Sequence, residues 1–122
     1  MMSDESKPAD LRLRTKQFAL RVIRLYQSLP SNSAGQVMGK QVLRSGTSVG
    51  AHYREACRAR SPAEFISKME TALQELDETT YWFELLVEST LVREALLVDL
   101  HKEAEELLAV FVASVKTAKR NM

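Results

Sequence analysis

Ser48, His52 and Glu55 lie four and three residues apart and are the residue types of a nucleophile, a base and an orienting acid. Positions on successive turns of one helix splay along its surface, so they cannot converge as a hydrolytic triad must. No strand-turn-helix nucleophile elbow and no oxyanion loop accompany them. The spacing suits a hydrogen-bonded polar seam shared with Gln41 and Ser45. His52-x-x-Glu55 also reverses the Glu-x-x-His order of di-iron bundles and occurs once, while His101 stands among Lys and Glu residues. Cys57 is the one cysteine; it has no companion for zinc or a disulfide and reads as a small packing residue. There is no Walker loop and no dinucleotide fingerprint. The expectation is a protein that is not an enzyme, with no metal and no cofactor.

Charge is the more informative chemistry. Net charge is +1, but the two halves of the chain differ in sign. Residues 1–60 hold 11 Lys+Arg against 4 Asp+Glu, which leaves +7, whereas residues 61–122 hold 6 against 12, which leaves −6. Lys40, Arg44, Arg54 and Arg58 fall within an arc of about 80° at helical spacing. Arg14, Arg21 and Arg24 share an arc on the preceding segment. These seven cations are the candidate nucleic-acid-binding residues, since stripes of Arg and Lys match phosphate and bind it with strong salt dependence. No base-reading motif accompanies them. The other reading of the pattern is that basic and acidic faces meet, within the molecule or between copies, and steer assembly.

Four amphipathic helices must position these groups. Leu11, Phe18, Val22, Leu25, Tyr26 and Leu29 share one face of a first helix starting near Asp10, which Pro30 ends. A second helix, about 34–60 with Ser33 as a candidate cap, carries Met38, Val42, Ser45, Val49, His52, Tyr53 and Ala56 on one face. All four glycines of the chain lie in its first half. Gly39, Gly46, Gly50 and Cys57 form one small-residue stripe, which calls for close approach by another helix backbone; a break near Gly46 is the competing reading. Ser61-Pro62-Ala63-Glu64 is a capping box that opens a third helix with an apolar seam from Ile66 to Thr90. A fourth runs from about Arg93 to Lys119. Tyr81, Trp82 and Leu85 lie off the inner face of helix 3 and, with Gly46, Gly50 and Tyr53 of helix 2, are the candidate oligomer interface. No segment has the period-two pattern of a strand.

The expected fold is all-α, an antiparallel up-and-down four-helix bundle over residues 10–120, preceded by a disordered tail over 1–9. No signal-peptide core and no apolar run of the roughly 20 residues that span a bilayer is present. The expected setting is the cytoplasm, with no membrane partner.

The segment Gln41-Val-Leu-Arg-Ser-Gly-Thr-Ser-Val-Gly-Ala-His-Tyr-Arg-Glu-Ala-Cys-Arg-Ala-Arg-Ser61 resembles the signature of the "four helix bundle protein" family. Glu64-Phe65-Ile66-Ser67-Lys68-Met69 and Glu75-Leu76-Asp77-Glu78-Thr79-Thr80-Tyr81-Trp82 continue the resemblance. The family includes proteins encoded in intervening sequences of bacterial large-subunit rRNA genes and the accessory variability determinants of retroelements. His52 stands where the family pattern has Asn. The resemblance implies a bacterial bundle that assembles into a homo-oligomeric ring, commonly a pentamer. It also implies RNA or DNA binding through basic surface residues and, in the retroelement branch, a reverse transcriptase as partner. Arg44, Ser45, Ser48, Tyr53, Arg54 and Glu55 belong to the shared segment.

Overall fold

The computed structural model describes residues 8–122, with side chains from Asp10 onward. Four helices follow one another: α1 (Pro8–Ser28), α2 (Ser33–Cys57), α3 (Pro62–Glu88) and α4 (Glu94–Arg120). The expected tail over 1–9 lies outside the described residues except at Pro8 and Ala9, which already belong to α1.

Short polar links hold the helix ends in register. Asn32, in extended conformation, caps α2 by accepting the Gly35 amide at 2.7 Å. Asn32 rather than Ser33 takes this role because Ser33 is already inside the helix. Ser61 accepts the Glu64 amide at 3.1 Å, and Pro62 occupies the first turn, where its missing N–H costs nothing. α2 ends at Cys57, three residues before the expected boundary, with the Arg58 amide turned back to the Ala56 and Glu55 carbonyls. Between α3 and α4, Thr90 takes a left-handed φ of 63°. The Leu91 and Val92 amides both return to the Leu86 carbonyl at 3.1 Å.

Consecutive helices pack along their lengths, and α1 and α4 close the bundle with a lighter contact. The core is joined across both diagonals by aromatic pairs. Phe18 of α1 meets Phe83 of α3 edge-to-face at 6.5 Å, and Tyr53 of α2 stacks on Phe111 of α4 at 5.5 Å. Such pairs contribute about 0.5–1.5 kcal/mol beyond their buried area.

α2 is unbroken through Gly46, and the helix that the glycine stripe admits is α1 of the same chain. A Cβ on Gly46 would stand 2.8 and 2.9 Å from the two Val22 methyls, and one on Gly50 3.1 Å from the Thr15 hydroxyl. Thr15 is itself fully buried, its hydroxyl donating to the Leu11 carbonyl at 2.7 Å. The assignment of Gly46, Gly50 and Tyr53 to an oligomer interface is therefore corrected. Gly46 is covered by Val22, Gly50 packs on Thr15 and only borders the open α1–α2 groove, and Tyr53 is buried on Phe111, so the three serve packing within the chain.

Gly46→Ala tests this packing. Overpacking against Val22 costs about 1–3 kcal/mol, while Ala gains about 1 kcal/mol over Gly in helix propensity. A net loss of about 1 kcal/mol is expected in chemical denaturation, and no loss when the same change is made in a Val22→Ala background.

Candidate interaction surfaces

The sequence places two Arg stripes on α1 and α2, and the structure divides them by what they meet. Arg14 is turned into the α1–α4 seam, where its Nε and one amino group grip Glu103 at 3.1 and 2.9 Å, with Glu106 at 3.3 Å. Only 20% of each of the Arg14 and Glu103 side chains is exposed, so this two-pronged pair ties the light edge of the bundle. Arg44 bridges to α3, pairing with Glu75 at 3.2 Å and with Glu78. Half exposed, it contributes little to stability, but its charge is spent within the molecule. The opposite signs of the two halves of the chain thus meet inside one bundle at these two residues.

The other five candidates differ. Arg21, Arg24, Lys40, Arg54 and Arg58 form no ion pair with any described residue, and all but half-buried Arg21 are exposed. Arg54 borders a shallow trough of about 380 Å³ between α1 and α2, with Lys16 on the opposite bank. The floor is small: Thr15, Ala19, Thr47, Gly50 and Ala51. Lys16 is a member of this surface that the stripe Arg14–Arg21–Arg24 leaves out. Its signal lies in the glycine stripe: once Thr15 is the residue under Gly50, the next position along α1 must rim the same groove.

On the other side of α2 the polar seam is structural. Ser45 and Thr79 share a buried hydrogen bond of 2.8 Å across α2–α3. The Ser48 hydroxyl donates to the Arg44 carbonyl at 2.6 Å, within its own helix. His52 lies between carboxylates, its Nε2 3.7 Å from Glu75 and its Nδ1 3.6 Å from Glu55, and Nδ1 is buried without a hydrogen bond. Lys68 pairs with Glu55 at 3.1 Å, and its hydrogen bond holds that carboxyl below the usual carboxylate range. Cys57, half-buried, lies beside the Tyr53 phenol, whose pKa burial pushes well up. Among the described residues no group of His, Cys, Asp and Glu is placed to hold a metal ion, and no helix is long and apolar enough to cross a membrane.

Tyr81, Trp82 and Leu85 do reach the surface of α3. Tyr81 is 53% exposed and packs edge-to-face on Trp82 at 5.2 Å. The Trp82 indole donates to Glu78 at 3.0 Å, and that bond, then Arg44, holds the Glu78 carboxyl below its ordinary range. A depressed carboxyl stabilises the fold above its unfolded value near 4.5 and loses that contribution as pH falls through the folded value. Trp82→Phe is expected to raise the Glu78 titration midpoint seen by carboxyl NMR. The stability gap between variant and wild type should be present at neutral pH and close in acid.

These surfaces sit on a fold with known counterparts. The profile of the 23S rRNA-intervening sequence protein matches residues 10–113. A crystal structure of a protein of unknown function from the S23 ribosomal protein family of Bacteroides thetaiotaomicron superposes with a TM-score of 0.84 at 36% identity. That match covers 90% of this chain and 98% of the other. No curated protein matches the chain. Sequence profile and architecture agree, and the chain belongs to the 23S rRNA-intervening sequence protein family.

Proposed function

We propose that the protein is a non-enzymatic, self-associating scaffold that engages structured nucleic acid through the outer face of α1 and α2. The observation that carries this reading is the cationic surface left over after the bundle has satisfied its own ion pairs. Arg54 and Lys16 flank a trough floored by small residues, and Lys40 is exposed further along α2. Arg58, which caps the C-terminal end of α2, lines a separate depression with Arg60, Lys68, Glu55 and Glu64. Small residues let a phosphate backbone approach closely, and unpaired guanidinium groups supply the donors that it accepts. The one aromatic near this face, Tyr26, is half-buried against Gly39, so recognition rests on backbone shape and charge more than on base stacking. Arg14 and Arg44, committed to carboxylates, are removed from the binding set.

The second reading is a purely structural module whose charges serve self-assembly. The exposed Tyr81, beside Trp82 and Leu85 on α3, favours it. Salt separates the two. Binding to a labelled RNA hairpin that weakens steeply with salt while the oligomer persists supports phosphate contact; loss of the oligomer itself supports charge-matched assembly.

Fluorescence anisotropy with that hairpin gives the direct test. Arg54→Glu/Arg58→Glu is expected to weaken binding about tenfold or more and to flatten the log–log salt slope by roughly 2. Arg44→Gln should stay within about twofold of wild type, because that guanidinium is already neutralised. Unchanged affinity in a folded Arg54→Glu/Arg58→Glu protein sinks the proposal.

A further inference from the structure

The side of the bundle opposite the trough carries a second concavity, of about 380 Å³, between α3 and α4. Its walls are apolar: Phe83 and Val87 from α3, Leu97 and Val98 from α4. His101 closes one side, edge-on to Phe83 at 5.8 Å. Around this apolar floor stand four carboxylates, Glu84 and Glu88 on one bank and Glu94 and Glu105 on the other, against the single cation Lys102. An apolar floor with an anionic rim fits an apolar ridge flanked by cations.

The same chain displays such a ridge. Leu13 and Leu20, 53% and 42% exposed, stand seven residues apart on α1. At helical spacing they lie within about 20° of one another, with Lys16 displaced about 40–60° to one side and Arg24 about 20–40° to the other. The ridge spans about 10 Å, and the α4 bank from Glu94 to Glu105 spans about 16 Å. A molecule cannot bring its own ridge to its own groove. α1 lies diagonally across the bundle from α3, and the leucines project from its solvent side.

We infer that the Leu13–Leu20 ridge of one copy docks in the α3–α4 groove of a second copy, Arg24 meeting the groove carboxylates while Lys16, on the trough side of the ridge, stays free. This rests on the self-association proposed above and names the surfaces that carry it. The two halves of the contact are different patches, so the interface is head-to-tail. A two-fold dimer cannot satisfy it, and each added copy presents a fresh ridge and a fresh groove. Leu13 and Leu20, apolar groups that the monomer leaves in water, thereby gain cover. The contact uses the outer side of α1 and leaves Arg54 and Lys40 on α2, and Arg58 just past its end, to solvent.

The test is native mass spectrometry and sedimentation of the full chain at low salt, with circular dichroism to show that each variant keeps its helices. Glu84→Lys/Glu88→Lys is expected to release monomer, raising the dissociation constant about tenfold or more. Adding Arg24→Glu to that variant should restore part of the oligomer by reversing both sides of the pairing. Leu13→Ser/Leu20→Ser, which alters only exposed apolar groups, should also release monomer. An oligomer whose mass survives both the charge reversal and the leucine replacements overturns this interface while leaving self-association standing. A wild-type chain that is monomeric throughout overturns both.

Discussion

The approach of α1 to α2 with no α2 side chain in the way at Gly46 and Gly50 is the constraint from which the rest of the molecule follows. Gly46 and Gly50 leave room for Val22 and Thr15, and no other residue type fits there without displacing them. Helix propensity argues against two glycines in mid-helix; packing repays that cost because the two backbones can lie close. The tight seam fixes the rotation of α1, which turns Phe18 inward to Phe83 and Arg14 toward Glu103. It also sets Lys16 opposite Arg54 across a floor too small to obstruct an approaching backbone. A core requirement and a functional surface are thus two sides of the same helix pair.

Electrostatics then separates what the bundle consumes from what it displays. The positive first half and negative second half meet at Arg14–Glu103 and Arg44–Glu75, and α3 is tied to its neighbours by Lys68–Glu55 and Lys119–Glu70. The exposed pairs among these contribute little energy individually. Their consequence is distribution: they neutralise cations near α3 and α4 and leave Arg54 and Lys40 on the outer face of α2, with Arg58 at its C-terminal end. On the far side, the carboxylates around the α3–α4 groove make the complementary field.

Much of this was legible in the residues. The apolar seams, the three prolines at helix boundaries and the Ser61–Glu64 capping box place four helices within a few positions of their observed ends. The glycine stripe correctly calls for a helix backbone. Its partner was not legible, because a small face on α2 is equally suited to α1 and to another molecule, and only the three-dimensional neighbours decide. Tyr53 was misplaced for the same reason: a tyrosine at the edge of an apolar face reads as surface until Phe111 is found stacked on it. The division of the Arg stripes was hidden as well. Arg14 and Arg24 sit on nearby arcs of α1, yet only Arg14 meets acids, and those acids lie some 90 residues further along the chain.

The central claim is that the face formed by α1 and α2 is where a phosphate backbone lies. Photocrosslinking of the assembled protein to a thiouridine-labelled RNA hairpin, with adducts located by peptide mass spectrometry, tests it most directly. The account predicts adducts on peptides that carry Lys16, Arg54 and Arg58, competed away by unlabelled hairpin and by salt. Adducts concentrated on α3 and α4, or a protein that acquires none under conditions where it is folded and assembled, would contradict it.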